Sequence, residues 1–215
     1  MSAEIELKVW LDDHEFVKER LSSIGEYVRS YEKTDTYWLP MRENAPYVSL
    51  PPSGLRIRRE RSLDSNDVER KSVLITLKRR EILDGIEVND EREFSVSDAD
   101  LFEGLICDLG LSKFACKEKC GWEWRVPAGV EGDRPISAEV SMVKDLGWFL
   151  EMELLSDTAC EKTVEESRKG FFSLLEKLRI SKDKIEAKPY TTLLQERRLE
   201  KLGGGGHTVT QGTAD

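Results

Sequence analysis

The sequence predicts an α+β fold in which eight strands close into a barrel and helices pack on its outside. Two observations carry this expectation: an alternation of charged and apolar residues that recurs down the chain, and three amphipathic helical patterns that each need a sheet surface to cover. The 215 residues suffice for one sizeable core, so residues 1–202 are expected to form a single domain, followed by a flexible glycine-rich tail at 203–215.

The elements follow in order. Glu4, Glu6 and Lys8 share one face of an extended segment while Ile5, Leu7 and Val9 share the other, because successive strand side chains point oppositely. Asp12 or Asp13 then caps a helix whose Phe16, Val17, Leu21 and Ile24 fall on one face, with Gly25 as its stop. Residues 31–39, rich in aromatic and β-branched types, predict the second strand, and the proline-bearing stretch 40–52 a loop over a barrel mouth. Residues 54–59 alternate again, setting Arg56 and Arg58 against Leu55 and Ile57. Charged and turn-forming residues at 60–72 predict a long hairpin connection to a strand at 73–80, where Thr76, Lys78 and Arg80 are in phase.

Asp84-Gly85 marks the next turn, after which residues 91–96 set Glu91 and Glu93 against Phe94 and Val96. A capping-box-like Ser97-x-x-Asp100 opens a second packing helix, with Leu101, Leu105 and Leu109 recurring up to Gly110. Strands follow at 114–126 with Lys117 and Lys119 in phase, at 136–143 with Glu139 and Ser141, and at 148–155 with Glu151 and Glu153. A long helix over 157–180 carries Val164, Phe171, Phe172, Leu175 and Leu178 at a 3.6 period, and a short one spans 191–201.

Composition narrows the partners. A net charge of -9, from 33 basic and 42 acidic residues, argues against a general nucleic-acid or anionic-membrane surface but leaves room for a local basic pocket. Cys116 and Cys120 have no second close cysteine pair, and His14 and His207 lie far off, so reduced structural thiols are expected rather than zinc. His14 is expected on an exposed helix face. No apolar signal core or membrane-length apolar run occurs, and a cytoplasmic protein without a membrane partner is expected.

Three amphipathic helices draw the apolar strand faces outward, so the ionic faces line the interior. That interior would hold Glu4, Glu6, Glu91, Glu93, Glu139, Glu151 and Glu153 beside Lys8, Arg56, Arg58, Lys78, Arg80, Lys117 and Lys119. Burying so many ions costs several kcal/mol each, which mutual pairing often fails to offset, so the pattern points to a ligand tunnel. The bases suit a polyphosphate, and the clustered carboxylates suit a hard divalent cation such as Mg²⁺ or Mn²⁺.

The chain resembles the CYTH superfamily, the triphosphate tunnel metalloenzymes, which include thiamine triphosphatases, inorganic triphosphatases and class IV adenylyl cyclases. The resemblance rests on Glu4-x-Glu6-x-Lys8, Asp35-Thr36-Tyr37, Leu55-Arg56-Ile57-Arg58, Thr76-Leu77-Lys78, Glu91-x-Glu93, Lys117-x-Lys119, the run from Leu146 to Glu153, and Pro189 to Leu194, in family order. It implies an antiparallel tunnel in which Lys8, Arg56, Arg58, Lys78, Arg80, Lys117 and Lys119 grip a triphosphate. It also implies that Glu4, Glu6, Glu139, Glu151 and Glu153 hold Mg²⁺ or Mn²⁺. Glu91 and Glu93, with Lys8, form the candidate catalytic group, the carboxylates orienting a water for in-line attack. Two positions depart from the family pattern: Ser141 stands where an aspartate is usual, so that the chain must recruit Glu139 or work more slowly, and Lys119 stands where arginine is common.

Three functions fit these residues. Metal-dependent hydrolysis of a small-molecule triphosphate leads. A class IV adenylyl cyclase needs a nucleoside pocket, for which Tyr37 and Trp38 are aromatic candidates, and a non-catalytic polyphosphate or nucleotide binding module would follow from Ser141. Oligomeric state is not legible.

Overall fold

The structure, a computed structural model, describes residues 3–40, 53–83, 86–128, 134–156 and 160–203. Its elements are β1 (Ala3–Trp10), α1 (His14–Ile24), β2 (Glu26–Pro40), β3 (Ser53–Asp64), β4 (Glu69–Leu83), β5 (Ile86–Ser95), α2 (Ala99–Asp108), β6 (Leu111–Val126), β7 (Ile136–Val143), β8 (Gly147–Ser156), α3 (Glu161–Leu178) and α4 (Tyr190–Gly203). The eight strands form a closed barrel in the order β1-β5-β4-β3-β2-β6-β7-β8, and every neighbouring pair is antiparallel. Closure leaves no strand edge unpaired around the ring.

The apolar strand faces point outward, as the helices require. Ile5, Leu7 and Val9 of β1, Val140 of β7 and Leu150 and Met152 of β8 are buried in one core with Val17 and Leu21 of α1 and Phe171, Leu175 and Leu178 of α3. A second outer core sets Ile106 of α2 on Trp38, Ile57 and Ile75 of β2, β3 and β4. Asp13 caps α1 by accepting from the Phe16 amide at 3.0 Å, and Gly25 ends it, both as the sequence predicts. At Gly121 of β6 a Cβ would fall 2.2 Å from the Val140 carbonyl oxygen, so only glycine permits the close approach of β6 to β7 there.

Several expectations need correction. Residues 60–72 are mostly strand: β3 and β4 continue as a ladder to the Leu63 and Glu69 pair, leaving a tight turn at 65–68. Charge there does not signal loop, because Arg61 pairs with Glu69 at 3.1 Å across the ladder. The second strand begins at Glu26, directly after α1, and the fifth at Ile86. The cap of α2 is Asp98, which accepts from the Leu101 amide at 2.9 Å, rather than a box opened by Ser97. Its packing face is Ala99, Phe102 and Ile106, and the predicted stripe of Leu101, Leu105 and Leu109 faces outward.

His14 is half-covered, its ring stacked on Trp148 with centroids 3.6 Å apart. None of the four cysteines is in a disulfide, as expected, but all are exposed, so they are not packed in the core. The expected loop at 41–52, the Asp84-Gly85 turn and the tail from residue 204 onward lie outside the described residues. Among those described, no helix is long and apolar enough to cross a membrane.

The outward assignment has a direct thermodynamic consequence. Phe171→Ala is expected to lower the unfolding free energy by about 3–5 kcal/mol in chemical denaturation, because it empties a buried site under α3. Leu101→Ala on α2 is expected to change it by less than about 0.5 kcal/mol. Equal effects would contradict the described packing.

Candidate functional site

Because the apolar residues of each strand face the helices, the intervening residues line the lumen. There Lys8, Lys33, Lys117 and Lys119 are only 6 %, 4 %, 5 % and 6 % exposed. Lysine is almost never this buried unless paired, and here each is held by a defined partner set. Around Asp35 of β2, Arg58 donates twice, at 2.7 and 2.9 Å, in a bidentate fork, and the Lys117 ammonium lies 3.1 Å away. Burial alone would raise the Asp35 carboxyl, but Arg58 and Lys117 outweigh it and hold it well below the usual carboxylate range.

A second cluster is built on Glu139 of β7. It accepts from the Tyr31 hydroxyl at 2.8 Å, from Lys33 at 2.6 Å and from Lys119 at 2.8 Å. Tyr31 stands opposite Gly121 on the β2–β6 ladder, so its ring crosses a position with no side chain to reach Glu139 on the next strand. Lys119 also donates to Glu151 of β8, which the ladder places directly across from Glu139. Burial opposes ionisation of Glu151, yet Lys119 prevails and brings its carboxyl down to about 2. Burial has the upper hand at Lys33, whose ammonium is lowered to about 8 despite the attraction of Glu139.

Elsewhere in the lumen Arg56 donates to the Thr76 hydroxyl at 3.0 Å, and that hydroxyl donates to Glu93 at 2.9 Å, leaving Glu93 partly open to solvent. Arg29 joins Glu123, at 2.6 Å, to Glu60, and Ser137 donates to Glu123 at 3.2 Å. Lys8 donates to the Lys188 carbonyl at 2.6 Å and lies 4.3 Å from the centre of the Tyr190 ring. That ring starts α4 and packs with Leu193 against Phe149 and Val143, apolar residues in phase with the ionic lumen positions. The first turn of α4 therefore fills the lumen beside Lys8.

The residues singled out from the sequence come together unevenly. Lys8, Arg56, Arg58, Lys117, Lys119, Glu93, Glu139 and Glu151 are lumen groups with the contacts above. Glu4, Glu6 and Glu153 share the lumen phase, and the β1–β8 ladder sets Glu6 directly opposite Glu153. The ladder pairs Lys78 with Glu91 and Arg80 with Asn89; the side chains of Lys78, Arg80 and Glu91 lie outside the described residues. Trp38 belongs to the outer core, its indole donating to Thr36 at 3.1 Å, so of the two aromatic candidates only Tyr37 has the lumen phase. The Ser141 side chain is fully buried beside Gly121 and Phe149, and its hydroxyl has no hydrogen-bond partner among the described residues.

Sequence reasoning gave no site role to Tyr31, Lys33 or Asp35, although their i, i+2, i+4 spacing on β2 was a signal of a shared face. As for a cation, no group of three or more His, Cys, Asp or Glu side chains is gathered to hold a metal among the described residues. The fit is one of chemistry and register: Glu6 and Glu153 face each other as hard oxygen donors, with Glu4 two positions along the same strand. Glu139 and Glu151 have Lys119 between them instead.

No family model matches the chain, and no curated protein matches it. Among solved structures it is similar to the PH1819 protein of Pyrococcus horikoshii OT3, at 24 % identity over 91 % of this chain and 99 % of that one, with a TM-score of 0.73. A Vibrio parahaemolyticus protein provisionally described as an adenylate cyclase matches at 16 % identity over 89 % and 97 % of the two chains, TM-score 0.68. HpAC1 from Hippeastrum, an adenylyl cyclase candidate described as having a dominant triphosphatase activity, matches at 15 % over 98 % and 99 %, TM-score 0.54. These likenesses show that the chain has the fold of those proteins, an α+β tunnel built on an antiparallel sheet.

Proposed function

We propose that the protein is a triphosphatase of the CYTH type, hydrolysing a small-molecule triphosphate within its lumen with the help of Mg²⁺ or Mn²⁺. The observation that carries this reading is the set of four buried lysines with Arg56 and Arg58 inside a closed barrel. Ion pairs in such a place do little for stability relative to an apolar filling, so their retention is accounted for by a polyanion that replaces their carboxylate partners. The fold shared with HpAC1 supports the same reading.

The described residues divide the work as follows. Arg58 and Lys117 flank Asp35 from the strands on either side of β2, and Lys33 and Lys119 are opposed on the β2–β6 ladder two residues along, so the lumen would offer two pairs of cations to a polyphosphate. Lys8 adds a further charge under α4. Glu6 and Glu153, with Glu4, would hold the divalent cation, which supplies Lewis-acid neutralisation of the phosphate oxygens. When Lys119 turns to a phosphate, Glu139 and Glu151 are released as further oxygen donors. Glu93, half-open and hydrogen-bonded by Thr76, would accept a proton from the attacking water. Ser141 carries no charge and is fully buried, so the carboxylate work in β7 falls to Glu139.

Incubation of the purified chain with tripolyphosphate, thiamine triphosphate and ATP, each with Mg²⁺ or Mn²⁺, tests the reading. Release of orthophosphate is expected; cyclic AMP with pyrophosphate would indicate a cyclase, and tight binding without turnover a binding module. Lys8→Ala and Arg58→Ala are each expected to lower turnover at least about tenfold, equivalent to about 1.4 kcal/mol, while remaining folded. Normal rates in both would contradict a lumenal reaction.

Lys33 gives a pH signature. Its ammonium loses its proton as pH rises through about 8, and a bound polyanion favours the charged form. Tripolyphosphate binding is therefore expected to weaken above that pH and to be accompanied by proton uptake, measured by calorimetry in buffers of different ionisation heat. Lys33→Arg is expected to abolish the uptake in that range; an unchanged uptake would assign it to another group.

A further inference from the structure

Asn89 of β5 is wholly buried, yet neither Nδ2 nor Oδ1 of its carboxamide has a hydrogen-bond partner. Among the described residues it is the one side chain with two such atoms. Ile86 and Val88 are packed in the outer core, so the alternate residues of β5 have the lumen phase, and the bond from Thr76 to Glu93 marks that face. The ladders set Asn89 directly across from Glu4 of β1 on one side and Arg80 of β4 on the other. It therefore belongs to the lumen wall beside Glu4, two positions along from Glu6 and its partner on the ladder, Glu153.

Folding does not account for this side chain. Asparagine is a poor strand residue, and each buried amide atom left without a partner forfeits the hydrogen bond that it had with water. Leucine, of nearly the same shape, would carry no such cost. The two atoms also define what would satisfy them, because the amide nitrogen only donates and the carbonyl oxygen only accepts. A phosphate would serve the first and not the second. A hard divalent cation, for which a carboxamide oxygen is an ordinary ligand, would serve the second and not the first. A cation bridged to a phosphate serves both at once. An amide or nucleobase edge would do so too, but the lumen-phase neighbours of Asn89 include the acidic Glu4, Glu87 and Glu91, which favour a cation.

We infer that Asn89 binds a metal–polyphosphate complex at its junction, Oδ1 as a ligand of the divalent cation and Nδ2 as a donor to a phosphate oxygen. The inference rests on the triphosphate reading above and adds to it a neutral residue that recognises the complex rather than either ion alone. It also gives the cation an oxygen ligand beyond the Glu4, Glu6 and Glu153 carboxylates, supplied by the neighbouring strand.

Two binding measurements on the full chain test the two atoms separately. One follows Mn²⁺ alone by electron paramagnetic resonance, and the other follows a non-hydrolysable imido analogue of tripolyphosphate by calorimetry with a chelator present. Asn89→Leu is expected to weaken both at least about tenfold, without lowering the melting temperature of the ligand-free protein. Asn89→Asp keeps an oxygen ligand and loses the donor, so Mn²⁺ is expected to bind at least as tightly as to the wild type while the analogue binds at least about tenfold more weakly. Wild-type affinity of Asn89→Leu for either probe would overturn the proposal. A lowered melting temperature of that variant would also overturn it, by assigning Asn89 to the fold. Hydrolysis is scored apart from binding. A wild type that binds both probes, with variants that behave as expected, but releases no orthophosphate would refute the triphosphatase and uphold the role of Asn89. Turnover by the wild type with unchanged binding by Asn89→Leu would do the reverse, and a wild type that binds neither probe would overturn both.

Discussion

Lys119, held between Glu139 and Glu151, is the interaction on which the lumen depends. An ammonium removed from water at a cost of several kcal/mol needs partners fixed in place, and β7 and β8 supply them from directly opposed ladder positions. The arrangement in turn requires the β6–β7 contact to be close, which Gly121 permits and any side chain would prevent. Tyr31 and Lys33 complete the shell of Glu139 from β2, so four strands are tied to one carboxylate pair.

The same alternation that turns these ions inward turns the aliphatic residues outward, and the two consequences are inseparable on a two-residue period. A slip of one residue in β1 would bring Ile5 and Leu7 into the lumen and strip the core from α3. The outer helices therefore fix the orientation of the inner charges without touching them. α4 differs from the other three, because its first turn enters the lumen and supplies Tyr190 beside Lys8 and Lys117.

Much of this was legible in the sequence where period and chemistry agreed. Glu4 to Val9, Arg56 with Arg58, and Glu151 with Glu153 alternate strictly, and their faces were read as the structure has them. β2 was harder: its ladder with β6 shifts register between Tyr27 and Arg29 and again between Tyr37 and Trp38, so the alternation that holds from Arg29 to Tyr37 does not extend to the ends of the strand. Lys33 and Asp35 were hidden among aromatic residues, and Trp38 falls on the opposite face from Tyr37. In α2, leucines every four residues mark a face as surely as core residues do, but a periodicity says only that a face exists and not which neighbour covers it. The lumenal role of α4 depends on contacts nearly the whole chain length apart, between Lys8 and Lys188, which no local pattern encodes.

The central claim is that the paired ions of the lumen are the binding groups for a triphosphate and its cation. A crystal structure of the protein grown with tripolyphosphate and Mn²⁺ tests it most directly, with the metal located by its anomalous scattering. The account expects the manganese peak against Glu6 and Glu153 and phosphate density in contact with Arg58, Lys117 and Lys119, the last turned away from Glu139. Polyphosphate bound only on the outer surface, with Lys119 still between Glu139 and Glu151, would contradict it.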